Sequence, residues 1–138
     1  MNPLYTAVAS ANSGREGKVQ SDDGVLNMPL SVPKGLGGPG GSGTNPEQLF
    51  AAGYAACFGG ALRVVAGHMK VATGEVTITA KVTIGKVEKG YGLAVELEGK
   101  MPSLPRDKAL ELMQAAHQVC PYSNATRGNI EVKLSVSE

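Results

Sequence analysis

The stretch Thr44–Ala66, TNPEQLFAAGYAACFGGALRVVA, constrains the fold more than any other part of the chain. Asn45 can cap a helix, Pro46 suits the first helical position, and Glu47 and Gln48 suit the first turn. From Leu49 to Leu62 there is no charged residue. A bilayer span needs about 20 such residues, so the run predicts a helix buried in protein on nearly all sides. Cys57 sits in its middle, flanked by Ala55, Ala56, Gly59 and Gly60. Small neighbours leave room beside the sulfur for another helix or for a substrate.

Such a helix needs cover, and the rest of the chain limits where that cover can come from. The 138 residues predict a single domain, 1–138, able to bury roughly two thirds of its chain surface. Tryptophan is absent and phenylalanine occurs only at positions 50 and 58. A core built from Val, Leu, Ile and Ala gains from being shared with a second subunit. A net charge of +1 gives no argument for nucleic acid or for an anionic membrane. Met1–Ser10 lacks the basic start and apolar core of a signal peptide, so a soluble cytoplasmic protein is expected. In that setting two cysteines read as free, metal-bound or catalytic rather than as a structural staple.

Before the helix, Leu4–Ala11 alternates as an edge strand and Asn12-Ser13-Gly14 reads as a turn. Arg15 follows that turn. Gly17–Ser21 and, beyond Asp22-Asp23-Gly24, Val25–Leu30 complete a predicted β-meander. Six glycines crowd the nine residues Gly35–Gly43 and twice match GxGxxG. Pro39 interrupts the match and the helix opens only after Gly43, so a loop is expected rather than a dinucleotide site.

After the helix, which should end near Gly67, Val76, Ile78, Ala80, Val82 and Ile84 alternate with polar residues as a half-buried strand. Glu88-Lys89-Gly90 turns the chain, and Leu93, Val95 and Leu97 line one face of the return strand. Met101–Pro105 breaks it, with Ser103 as a candidate cap. Ala109, Leu112, Met113, Ala116 and Val119 have helical spacing, and Pro121 stops or kinks that helix after Cys120. Ile130, Val132, Leu134 and Val136 form the last strand. The order is α+β rather than a βαβ repeat.

Chemistry has few carriers here. Cys57, His68, His117 and Cys120 could supply four zinc ligands in number, but Cys57 and His68 lack paired spacing. His117 and Cys120 share a helix face and could act as base and nucleophile. The bland reading of His117 is a helix residue satisfied by a carbonyl. Alternatively the two cysteines meet each other, which requires Cα atoms within about 7 Å. Taken singly, each also reads as an inert core cysteine.

TNPEQLFAAGYAACFGGAL (Thr44–Leu62) together with HQVCPYSNATRGNIEV (His117–Val132) resembles the organic hydroperoxide resistance (Ohr) family of thiol peroxidases, a branch of the Ohr/OsmC group. The resemblance runs over essentially the whole chain, including SVP and the glycine-rich loop after it (Ser31–Gly43). It implies an Ohr/OsmC-like, intertwined homodimer with two long central buried helices packed between antiparallel β-sheets, and an active site at each end of the interface. By position, Cys57 matches the peroxidatic cysteine and Cys120 the resolving one. Arg15 and Glu47 match the arginine and glutamate that activate the peroxidatic sulfur.

Physics constrains those roles. Cys57 lies about three turns into its helix, beyond the reach of the N-terminal dipole. A thiol with a pKa near 8.5 needs a nearby cation to be thiolate at neutral pH. Glu47 lies ten residues, or about 15 Å, from Cys57 along one straight helix, so it must act through Arg15 or come from a partner. A Glu47–Arg15–Cys57 relay follows as an expectation. The family chemistry implies a Cys57 sulfenic acid, a Cys57–Cys120 disulfide, no bound cofactor or metal, and recycling by an external dithiol, a dihydrolipoyl group on a lipoylated protein. Phe50, Tyr54, Phe58 and Tyr122 are candidates for an apolar substrate pocket, and equally for plain core. The alternatives are an OsmC-type general stress peroxidase and a non-catalytic dimer that binds small apolar molecules.

Overall fold

The capping signal and the uncharged run do produce one long helix, α1, Pro46–His68. Asn45 caps it, its side-chain oxygen accepting the backbone N–H of Gln48 at 2.8 Å. The computed structural model describes all 138 residues, Met1–Glu138, in two compact units, Met1–Leu49 and Phe50–Glu138.

The first unit is the expected meander with shorter strands. β1 (Ala9–Asn12), β2 (Lys18–Ser21) and β3 (Asn27–Pro29) pair antiparallel in that order. Met1–Val8 stays outside the sheet, so β1 begins later than its alternation suggests and runs one residue further. Between β1 and β2, Ser13 and Gly14 take left-handed backbone angles and open a short 3-10 turn, Gly14–Glu16, that carries Arg15. A side chain at Gly17 would collide with the carbonyl oxygen of Asn12, so the exit from this turn needs glycine. The glycine-rich loop is closed at its base. Ser31 N–H donates to the Thr44 carbonyl at 2.9 Å and Thr44 N–H to that of Pro29 at 2.9 Å.

In the second unit, β4 (Thr77–Lys86) and β5 (Tyr91–Lys100) form the predicted hairpin, with Ala80 opposite Leu97. β6 (Val132–Ser137) joins β5 in parallel, Leu134 opposite Leu97. The sheet is therefore mixed, which corrects the expectation of antiparallel sheets only. The connection from β5 runs through α2 (Arg106–Val119) and α3 (Pro121–Thr126), long enough to carry the chain back for a parallel return.

Two details of that crossover differ from the sequence reading. Pro105, not Ser103, precedes α2, and no side chain caps it. Pro121 ends α2 and at once begins α3, since it lacks the N–H that α2 would need while its fixed φ suits a first helical position.

Tyr54, Phe58 and Leu62 of α1 pack with Val95 and Leu97 of β5 and Leu112, Met113 and Ala116 of α2. Each large apolar side chain so buried contributes about 1.5–3 kcal/mol. By length and composition alone the 23-residue α1 could cross a membrane. Here it is the core helix of its unit. It is covered on one face only, however. Ala52, Ala56, Gly60 and Val64, one turn apart along the other face, are exposed. A three-stranded sheet and α2 cannot wrap both sides, so burial on nearly all sides is not reached by one chain.

Candidate active site

The crossover brings the two cysteines together. Cys57 projects from α1 and Cys120 from the junction between α2 and α3, with the Cys120 thiol donating toward Cys57 Sγ at 3.5 Å. Both are free thiols. Cys120 is fully buried, whereas Cys57 is only partly so. The contact is short enough that a modest side-chain movement would close it to the ~2.05 Å of a disulfide.

The Cys57 thiol is held above its ordinary pKa, chiefly by burial and further by the neighbouring Cys120. The backbone N–H dipole of Tyr122, in the first turn of α3, opposes this. A thiolate at this position would need more positive potential than that one N–H supplies.

In the first unit, Arg15 and Glu47 form a two-pronged ion pair. The guanidinium donates from Nη1 to Oε2 at 2.8 Å and from Nη2 to Oε1 at 2.6 Å. The hydrogen bond from Arg15 holds the Glu47 carboxyl below the usual carboxylate range, against a smaller opposing effect of burial. The same bond raises the Arg15 pKa. Such fork-to-fork geometry fixes the plane of the guanidinium as well as its position. Glu47 lies in the first turn of α1, where a negative charge is also favoured by the helix dipole.

The four aromatic candidates separate. Phe50 and Tyr122 line an apolar groove of about 530 Å³, together with Tyr91, Leu93, Ala125 and Ile130. Tyr54 and Phe58 are fully buried, because the i, i+4 spacing from Phe50 carries them down the core face of α1. The Tyr122 ring lies across α1 at Gly53, where a Cβ would stand 2.8 Å from its hydroxyl oxygen. Phe50 and Tyr54 flank that ring, with centroids 6.0 and 5.6 Å from it. Gly53 is not among the candidates read from sequence, although a glycine between Phe50 and Tyr54 in a buried helix is a visible signal.

His117 turns its Nδ1 to Ser123 Oγ, 2.8 Å away, rather than to a cysteine. Burial and the nearby Arg127 charge push its pKa down. Ser123 Oγ is also 2.8 Å from the Tyr54 hydroxyl, which lies 3.1 Å from Thr126 Oγ1. Neither Ser123 nor Thr126 stands out in the sequence by type or spacing, since their partners lie on other helices. No three His, Cys, Asp or Glu side chains converge on a metal-sized site.

Residues 38–135 match the family model described as OsmC-like protein. The chain is 54% identical over 135 residues to an organic hydroperoxide resistance protein of Xanthomonas axonopodis pv. citri, covering 97% of this chain and 95% of that one. Its fold superposes with a TM-score of 0.94 on the crystal structure of an organic hydroperoxide resistance protein from Elizabethkingia anophelis, at 56% identity and over 100% and 99% of the two chains. The organic hydroperoxide resistance protein OhrB of Bacillus subtilis gives a TM-score of 0.89 at 47% identity, over 98% of this chain and 100% of that one.

Proposed function

The chain belongs to the OsmC-like family, within its organic hydroperoxide resistance branch, and from that membership we propose that it reduces organic hydroperoxides to alcohols through its two cysteines. The observation that carries the mechanism is the pair of free thiols 3.5 Å apart, one partly open and one buried. The Cys57 thiolate attacks the outer oxygen of ROOH, the O–O bond breaks, and the departing alkoxide takes a proton to leave as ROH. Cys57 is left as a sulfenic acid. The Cys120 sulfur then attacks Cys57, the S–O bond breaks, and hydroxide leaves as water with the Cys120 proton. An external dithiol reduces the resulting disulfide by exchange and is itself oxidised to a disulfide.

Arg15 and Glu47 are assigned to activation. A thiol that its own surroundings push upward needs a permanent cation, and Arg15 held flat by Glu47 is suited to that role. Tyr122 is placed to link the groove to the sulfurs, since its ring lines the groove and it follows Cys120 by two residues. A groove with this apolar lining suits the organic part of a hydroperoxide better than hydrogen peroxide.

We assign the working form to a homodimer, in which the exposed Ala52–Val64 face of α1 is covered, and the reductant to a dihydrolipoyl group on a lipoylated protein. Recycling by a dithiol places the reaction in a reducing compartment, the cytoplasm. The test is consumption of tert-butyl hydroperoxide with dihydrolipoamide, by this protein and by Cys57→Ser. Turnover lost in the variant, and lower with hydrogen peroxide, supports the reading. No turnover by the fully reduced protein with any dithiol would leave a small-molecule-binding dimer as the better account.

A further inference from the structure

Beside the thiols runs a second link between the same two chain segments. Tyr54 precedes Cys57 by three residues on α1, and Ser123 follows Cys120 by three on the other side. The Tyr54–Ser123 contact is therefore a second rung, one helical turn from the sulfur pair. Ser123 Oγ also meets His117 of α2, so this one fully buried atom ties α3 to both longer helices.

Counting protons gives the direction of the chain. Thr126 has one hydroxyl hydrogen, and the Ser123 carbonyl is in reach as acceptor at 3.2 Å. If Thr126 donates there, its oxygen accepts from Tyr54. Tyr54 then has no hydrogen left for Ser123 and must accept from it. Ser123 in turn must accept from His117, which requires a hydrogen on Nδ1. Only in this sense are all four contacts hydrogen bonds. Run the other way, Thr126 would donate to Tyr54, and its oxygen would face the Ser123 carbonyl lone pair to lone pair. A buried pair of that kind is disfavoured.

We propose that Ser123 is a positioning residue, whose one-way chain from His117 through Tyr54 to Thr126 locks α3 against α1 and so holds the Cys120 thiol on Cys57. The proposal rests on Cys57 and Cys120 being the reacting pair. Held in place, Cys120 acts at a high effective concentration on Cys57, which favours the disulfide over two thiols. Tyr54→Phe removes one hydroxyl and nothing else. Ser123→Ala removes the hub.

The test equilibrates the full-length protein with glutathione buffers and reads the Cys57–Cys120 disulfide by mass. In that reaction the two protein thiols pass two electrons and two protons to glutathione disulfide, which becomes two glutathiones. The disulfide should become easier to reduce by at least about fivefold in Tyr54→Phe, the worth of one of the two buried hydrogen bonds its hydroxyl makes, and by more in Ser123→Ala. Nitrogen NMR of the two histidines should show His117 protonated at Nδ1 in the unmodified protein and that preference lost in Tyr54→Phe. An unchanged equilibrium in folded Tyr54→Phe, or His117 protonated at Nε2 in the unmodified protein, overturns the proposal. Should Ser123→Ala not fold, Tyr54→Phe alone decides. No hydroperoxide enters this experiment. Failure of the unmodified protein to turn over tert-butyl hydroperoxide would defeat the peroxidase reading and leave this equilibrium to be judged separately.

Discussion

Met1–Leu49 and Phe50–Glu138 are stabilised by different means. The second unit has a core of large side chains, among them Phe58, Leu97, Leu112 and Met113, each fully buried. The first buries little beyond Leu30 and Thr44, and leaves Leu4, Tyr5, Val25 and Met28 exposed. Its shape comes from ladder hydrogen bonds, tight turns and the Arg15–Glu47 pair. The Arg15–Glu47 pair is thus on a scaffold with almost no hydrophobic support of its own, while the thiols are set in the unit with the large core. A segment of this kind gains its rigidity from cover, which is a physical reason to expect a second copy.

Activity gives the largest contrast. Cys57→Ser should abolish peroxide consumption while circular dichroism shows the fold intact, and Arg15→Ala should lower it by at least about tenfold. Stability should divide along the same line. Phe58→Ala should cost about 3–5 kcal/mol in denaturant unfolding. Val25→Ala, on an exposed side chain, should fall within about 0.5 kcal/mol. A large effect of Val25→Ala that depends on protein concentration would show the first unit to be covered by a partner.

The Arg15–Glu47 pair predicts a smaller, pH-dependent term. The folded-state pKa of Glu47 is depressed, so its contribution is present above the unfolded value of a glutamate and is lost as pH falls through the folded one. Arg15 is about a third exposed, so the pair is worth no more than about 0.5–1 kcal/mol. Urea unfolding of Glu47→Gln should lack that acid-side loss. An identical pH profile in the variant would show that the pair contributes nothing to folding. The smallest change is expected from Gly53→Ala, whose added methyl displaces the Tyr122 ring. It should alter KM for a long-chain hydroperoxide by a few-fold and leave tert-butyl hydroperoxide nearly unaffected, as paired steady-state assays would show.

What could be read from the sequence was local. α1 announced itself through Asn45, Pro46 and an uncharged run, and the β4–β5 hairpin through a period of two. α3 was hidden because Pro121 reads equally as the end of one helix and the start of the next. The parallel pairing of β6 was hidden for another reason: strand direction depends on the crossover and not on the residues of the strand. Of the candidate site, Cys57, Cys120, Arg15 and Glu47 came from a family resemblance, whereas Ser123 and Gly53 meet partners 69 positions away, at Tyr54 and Tyr122 respectively. Single-residue chemistry does not encode such meetings.

The unequal burial of the two sulfurs has one more consequence. A disulfide made in this arrangement would offer solvent only the Cys57 side, because Cys120 is enclosed. An incoming thiolate must then form its mixed disulfide on Cys57 and expel Cys120 into the interior, where it can collect a proton without meeting a competing oxidant. On the proposed chemistry, peroxide and reductant would then share one opening and use it in turn.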